Sequence, residues 1–344
     1  MKRRDMLALV ASIGAGAAIA QSEVWERIAY ALTKPTGMDE AMVRAIEART
    51  AGFHQLEELV PAPALYKGLT AHMREAGNLL NGVAPDPKNE LRERLIVTLG
   101  ESSVLAGWLA SDMGDTTTAR NFYETAERAA KEVNDSAIIA CALAYRSYIP
   151  TTKGAHGRAR SLLSAALDVT SSSSTPATVA WLSARHAEES AALGDKAQAL
   201  KSWGKAEEAF GIADPDEDRV WTRFMDQNRF DSCHISTLAN INRLDDAQEL
   251  ASTVLARLEQ PDRKKAVIIL EDIACAHLTK GSVIEASRVG RQGLSLLRET
   301  GFTMWLPKFE ALAVGLKRWD RNERVRTYLE DFSVTKRQLS PSPR

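Results

Sequence analysis

The sequence predicts an all-α chain assembled from a recurring helical hairpin. Three observations carry this expectation. Apolar residues recur at three- and four-residue spacing along nearly the whole chain outside its Gly/Pro punctuation. No run of alternating β-branched residues reads as a strand. A glycine or asparagine turn also returns about every 40 residues, at Gly114, Gly154, Gly194, Asn242 and Gly281.

Taken in order, the elements are as follows. Residues 1–22 open with Lys2, Arg3 and Arg4, run uncharged from Met6 to Ala20, and turn polar at Gln21. This has the form of a twin-arginine-like export signal with an Ala18-Ile19-Ala20 cleavage site, and equally of a small-residue packing helix. It is too short and too rich in small residues for a stable membrane span. Residues 23–89 form an N-terminal helical region, with helical spacing over Asp39–Val60 and Ala64–Leu80, interrupted at Pro61 and Pro63. The break at Ala84-Pro-Asp-Pro-Lys88 leads into the repeats, residues 90–300. Capping helices are expected over 301–335. Residues 336–344, ending Ser340-Pro-Ser-Pro-Arg344, have nothing to pack and are expected to be a disordered tail.

The repeat is legible because its small residues keep fixed distances from each turn. Five positions after the turn residue stands an alanine in every unit: Ala119, Ala159, Ala199, Ala247 and Ala286. Twelve positions after come Ala126, Ala166, Ala206, Val254 and Gly293; seven before come Gly107, Ser147, Ala187, Ile235 and Ala274. Two antiparallel helices approach closely only where the facing side chains are small, and glycine or asparagine suits the left-handed residue that ends the first helix. At 344 residues the chain would suggest two compact domains, but an array grows in one dimension, each unit resting on the last.

This pattern resembles the tetratricopeptide repeat, most clearly in Gly107-Trp-Leu-Ala-Ser-Asp-Met-Gly114-Asp and its alanines at 119 and 126. The resemblance implies a right-handed α-solenoid of antiparallel hairpins. The period departs from it, being near 40 rather than 34, and the fourth unit lacks its glycine. The Leu105–Asp115 segment, the Leu59-Val-Pro-Ala-Pro-Ala-Leu block and the Trp181 to Asp195 unit further resemble the sensory half of bacterial Xre-type helix-turn-helix regulators. In that family a similar Arg-Arg and Ala-rich stretch lies mid-chain, after the DNA-binding domain. The chain as read begins without a helix-turn-helix, so the resemblance implies a cytoplasmic regulator that does not itself grip nucleic acid. Export remains the alternative.

Charge and motifs agree with a binding role. Lys and Arg total 44 against 45 Asp and Glu, a net charge of −1 that lacks the basic excess of a nucleic-acid binder. Cys141, Cys233 and Cys275 are too far apart for a disulfide framework or a zinc site. His186-Ala-Glu-Glu has no second histidine for a zinc protease motif, and Gly14-Ala-Gly16 lacks the third glycine of a dinucleotide fingerprint. No GxSxG or phosphate-binding P-loop occurs. No cofactor is implied, and an enzyme is not expected.

In a superhelix of hairpins the first helix of each unit lines the concave face. Counting back from the turns gives the candidate groove residues Trp108, Asp112, Tyr148, Trp181, Arg185, Glu188, Arg229, Ser236 and Glu271, flanked by Thr152, Cys233, Ile268, Asp272 and Cys275. Aromatic anchors with Arg and Glu suit a peptide or a segment of a partner protein. The aromatics equally suit packing between units, and the charges equally suit pairing across repeats. The sequence leaves open whether the chain dimerises.

Overall fold

The computed structural model describes residues 39–57, 59–83, 89–170, 175–214, 216–258 and 263–339. The opening segment 1–22 and the final residues 340–344 lie outside these. Among the described residues the protein is all-helical, with no strand. The α-helices are α1 (Glu40–Leu56), α2 (Ala62–Asn81), α3 (Glu90–Asp112), α4 (Thr116–Glu132), α5 (Ser136–Thr151), α6 (His156–Val169) and α7 (Pro176–Ala192). They continue with α8 (Lys196–Phe210), α9 (Gln227–Asn240), α10 (Leu244–Arg257), α11 (Arg263–Thr279), α12 (Val283–Thr300), α13 (Leu306–Leu316) and α14 (Glu323–Leu339). No described helix is long and apolar enough to cross a membrane.

Consecutive helices pair as α3/α4, α5/α6, α7/α8, α9/α10 and α11/α12, and the first helices of successive pairs touch one another. Each pair turns where the sequence places its glycine or asparagine. Gly114, Gly154, Gly194, Asn242 and Gly281 all have positive φ, between 68° and 83°. Each turn closes with the same bond, in which the N–H after the turn residue reaches back to a carbonyl of the preceding helix. The five are Asp115 to Ala110, Ala155 to Pro150, Asp195 to Ser190, Arg243 to Leu238 and Ser282 to His277, at 2.9–3.0 Å. Asp115 and Asp195 then cap the second helix, accepting from the Thr118 N–H at 3.0 Å and the Gln198 N–H at 3.1 Å.

The small residues lie in the seams. The five alanines following the turns are fully enclosed, as are Ala126, Ala166, Ala206 and Val254. At Gly107 a side chain would collide with the ring of Tyr123, and at Gly293 a Cβ would stand 2.7 Å from Phe309. The helices can pack this closely only because those positions are empty.

One interval exceeds the rest: Gly194 and Asn242 are 48 residues apart instead of about 40. The excess lies between α8 and α9, where a 3₁₀ turn over Val220–Thr222 drives Trp221 and Met225 into the core. Beside it Arg219 spans to Glu101 at 3.0 Å and Asp135 at 2.8 Å, tying the insertion to the first two pairs. Burial pushes the Glu101 carboxyl up to about 7 against the opposing pull of Arg219.

The two ends of the array meet. Lys264, on α11, binds Asp112 at the end of α3 at 2.8 Å and Glu57 just past α1 at 3.2 Å. The Thr303 hydroxyl donates to the Asp112 carbonyl at 2.5 Å. The closing helix α14 packs on α12 and runs to Leu339, four residues past the expected boundary at 335. Phe332 and Thr335 are buried on it, and that packed face holds the helix together beyond the point where the local sequence turns polar.

Candidate functional site

The first helices enclose two adjoining cavities that share Arg229 and Ile268 as a common wall. The larger, of about 240 Å³, is lined by charge. Arg185, Glu188 and Glu189 reach it from α7, Arg229 and Ser236 from α9, Glu271, Asp272 and Cys275 from α11, and Lys308 from α13. The smaller is lined mainly by Trp108, Tyr145, Tyr148, Phe224 and Phe302, with Glu57, Lys264 and Lys265 among the other lining residues.

Seven of the nine candidate residues converge here: Trp108 and Tyr148 on the aromatic cavity, Arg185, Glu188, Ser236 and Glu271 on the charged one, and Arg229 on both. Asp112 stands behind the aromatic cavity, bonded to Lys264. Trp181 is a correction. It is fully enclosed between Tyr145, at 4.8 Å between ring centroids, and Phe224, at 5.2 Å, and lines neither cavity. The helix face that carries it turns toward the insertion before α9, whose aromatic residues cover it.

Arg185, Glu188, Arg229 and Glu271 are all buried, and Lys308 on α13 lines the same cavity. Most of these charges compensate one another. Arg185 bonds Glu188 and, at 2.8 Å, Glu189, and its guanidinium lies 4.1 Å over the Tyr148 ring. Burial works against the Glu189 carboxylate, but Arg185, His156 and Thr151 outweigh it and hold the group below its ordinary value. The Thr151 hydroxyl donates to Glu189 at 2.5 Å, and His156 Nδ1 lies 2.8 Å from its other oxygen. Arg229 donates to the Tyr148 hydroxyl at 2.8 Å. Burial also opposes the charge on Arg185 and Arg229, yet the surrounding acceptors raise both above the ordinary arginine value.

The α11 side is less complete. Asp272 accepts from the Ser236 hydroxyl, and burial followed by the neighbouring Glu271 charge pushes its carboxyl up to about 8. Glu271 accepts from the Cys275 thiol at 2.9 Å through one oxygen, while its other oxygen, Oε2, is buried without a partner. Lys308 forms no ion pair within 4 Å among the described residues, although Glu271 and Asp272 raise its affinity for a proton against the effect of burial. Trp305, one turn before Lys308, lines the same cavity and its indole N–H has no partner.

Cys233 and Cys275 are free thiols, and burial raises both well above the ordinary value, which disfavours the reactive thiolate. No cluster of His, Cys, Asp and Glu among the described residues has the arrangement to hold a metal ion. Counting back from turns missed Thr151, His156 and Glu189, which lie near the turn of the second unit or on the next helix face. It could not reach Lys308 and Trp305, which come from beyond the repeats.

No family model matches the chain, and no curated protein matches it.

Proposed function

We propose that the protein is a non-enzymatic regulatory binding protein of the tetratricopeptide type. In this reading the five hairpins form an α-solenoid, and its concave face takes a peptide or a segment of a partner protein, in transcriptional or signalling control. The observation that carries it is the convergence of Arg185, Glu188, Arg229 and Glu271, from three successive first helices, on one cavity. Buried charge of this density is costly to fold and is common where a polar ligand is received.

Regulation follows from the way the face is closed. The bonds from Lys264 and Thr303 to Asp112 join the last unit to the first across the cavities. An occupant that fits the closed arrangement better than an open one shifts the array toward closure, altering the outer surface offered to a partner. Titration of the full chain with a library of peptides, followed by calorimetry and by small-angle scattering, tests this. Saturable binding with a change in radius of gyration supports the reading. Absence of binding by any peptide or cellular extract component, with the fold intact, overturns it.

A further inference from the structure

Among the described residues lining the charged cavity, the Glu271 Oε2 oxygen, the Arg185 Nε and the Trp305 indole N–H are buried without a hydrogen-bond partner, and Lys308 forms no ion pair within 4 Å. The bare acceptor is on α11; Trp305 ends the 3₁₀ turn Thr303–Trp305 just before α13, and Lys308 lies in the first turn of α13. A buried polar atom without a hydrogen bond costs folding free energy, and here opposite charges line one cavity without touching each other. A ligand that carries both signs would meet the bare acceptor and the unpaired cation together.

We propose that this cavity binds a small zwitterion, a free amino acid or dipeptide, whose carboxylate meets Lys308 and whose ammonium group meets the free oxygen of Glu271. The proposal rests on the reading above that the concave face is a ligand site, and it names the ligand class. Charge balance separates it from its rivals. The cavity holds three cations, Arg185, Arg229 and Lys308, and four carboxylates, Glu188, Glu189, Glu271 and Asp272. Burial and the adjoining Glu271 charge push the Asp272 carboxyl up to about 8, so the two acids together carry less than their full charge and the two signs come close to balance. A simple anion would satisfy Lys308 and leave the Glu271 oxygen bare; a simple cation would do the reverse. A zwitterion satisfies both and leaves that balance unchanged.

Size points the same way. The cavity's 240 Å³ lies just below the range usual for drug-sized ligands, which suits an amino acid or dipeptide. Ile268 and Trp305 line it as an apolar wall for a side chain, and the bare Trp305 N–H, three residues before Lys308, adds a second donor.

Calorimetric titration of the full chain with the twenty free amino acids and a set of dipeptides tests the proposal. The tightest binder is then compared with its decarboxylated amine, its deaminated acid and its doubly blocked form. Each analogue should bind at least about 10-fold more weakly, as should the zwitterion to Lys308→Met and Glu271→Gln proteins. Because K308M removes a cation beside Glu271 and Asp272, its folding is checked by circular dichroism and melting temperature, and a folded K308M that binds the zwitterion as tightly as the wild type overturns the proposal. An analogue lacking one charge that binds as tightly as the zwitterion overturns the proposal. So does the absence of binding by any zwitterion at millimolar concentration. If end-blocked longer peptides bind while zwitterions do not, the zwitterion assignment falls and the peptide reading stands; if neither binds, both fall.

Discussion

At the five hairpin seams every turn residue has positive φ and every alanine five residues later is fully enclosed, whereas the first helices face inward with Arg185, Glu188, Arg229 and Glu271. The seams repeat the same backbone bonds from unit to unit. The inner face repeats nothing: each unit contributes different side chains, and acceptors and donors remain without partners at Glu271 and Trp305. Positions that hold the array together are constrained to be alike, because each must satisfy the same geometry. Positions on the inner face are under no such shared constraint, and some stay incomplete at a cost in stability.

The contrast can be broken most severely at Arg185. Replacing it with Met leaves Glu188 and Glu189 buried without their cation, and should cost about 3–5 kcal/mol in urea unfolding. A loss below 1 kcal/mol would mean that the inner face is far wetter than its burial implies. At a seam, Gly107→Val drives a side chain into the enclosed Tyr123 ring and should cost about 1–3 kcal/mol despite valine's better helix propensity. Turn strain is smaller again. Gly154→Ala, at φ +72° with open space around the new Cβ, should cost about 1–2 kcal/mol from backbone conformation alone.

The smallest effect is one of pH. Asp272 holds its proton more tightly when folded than when unfolded, so its contribution is present at low pH and is lost as pH rises from the ordinary carboxylate value through about 8. Stability should therefore decline from about pH 4 to pH 8 in part through this group. Asp272→Asn should match the wild type near pH 4 and show a shallower decline toward pH 8. Unfolding curves at both pH values check this, and an unchanged slope would place the proton elsewhere. Glu271, Glu188 and Lys308 face the same carboxyl, so the slope belongs to the cluster rather than to one isolated acid.

Much of the hairpin architecture was legible in residue order. The turn residues, the alanines at fixed offsets and the capping Asp115 and Asp195 all act within a few positions of one another, where sequence distance and spatial distance agree. The 48-residue interval was visible as an irregularity, but that it would bury Trp221 and tie Arg219 to Glu101 was not, since those partners are more than 100 positions apart. Seven of the nine candidate residues line one of the two cavities, while Trp181 is enclosed beside Phe224, because helix spacing cannot tell which side a later insertion will cover.

By itself, then, the sequence determined that the chain is helical and where its helix pairs turn, because caps, turn conformations and close helix approach are local requirements. The tertiary structure alone decided that the inner face closes into two cavities, that α13 brings Lys308 and Trp305 opposite Glu271, and that Asp112 serves as a joint between the ends. Those depend on how helices far apart in the chain come to lie beside one another, which no single helix pair encodes.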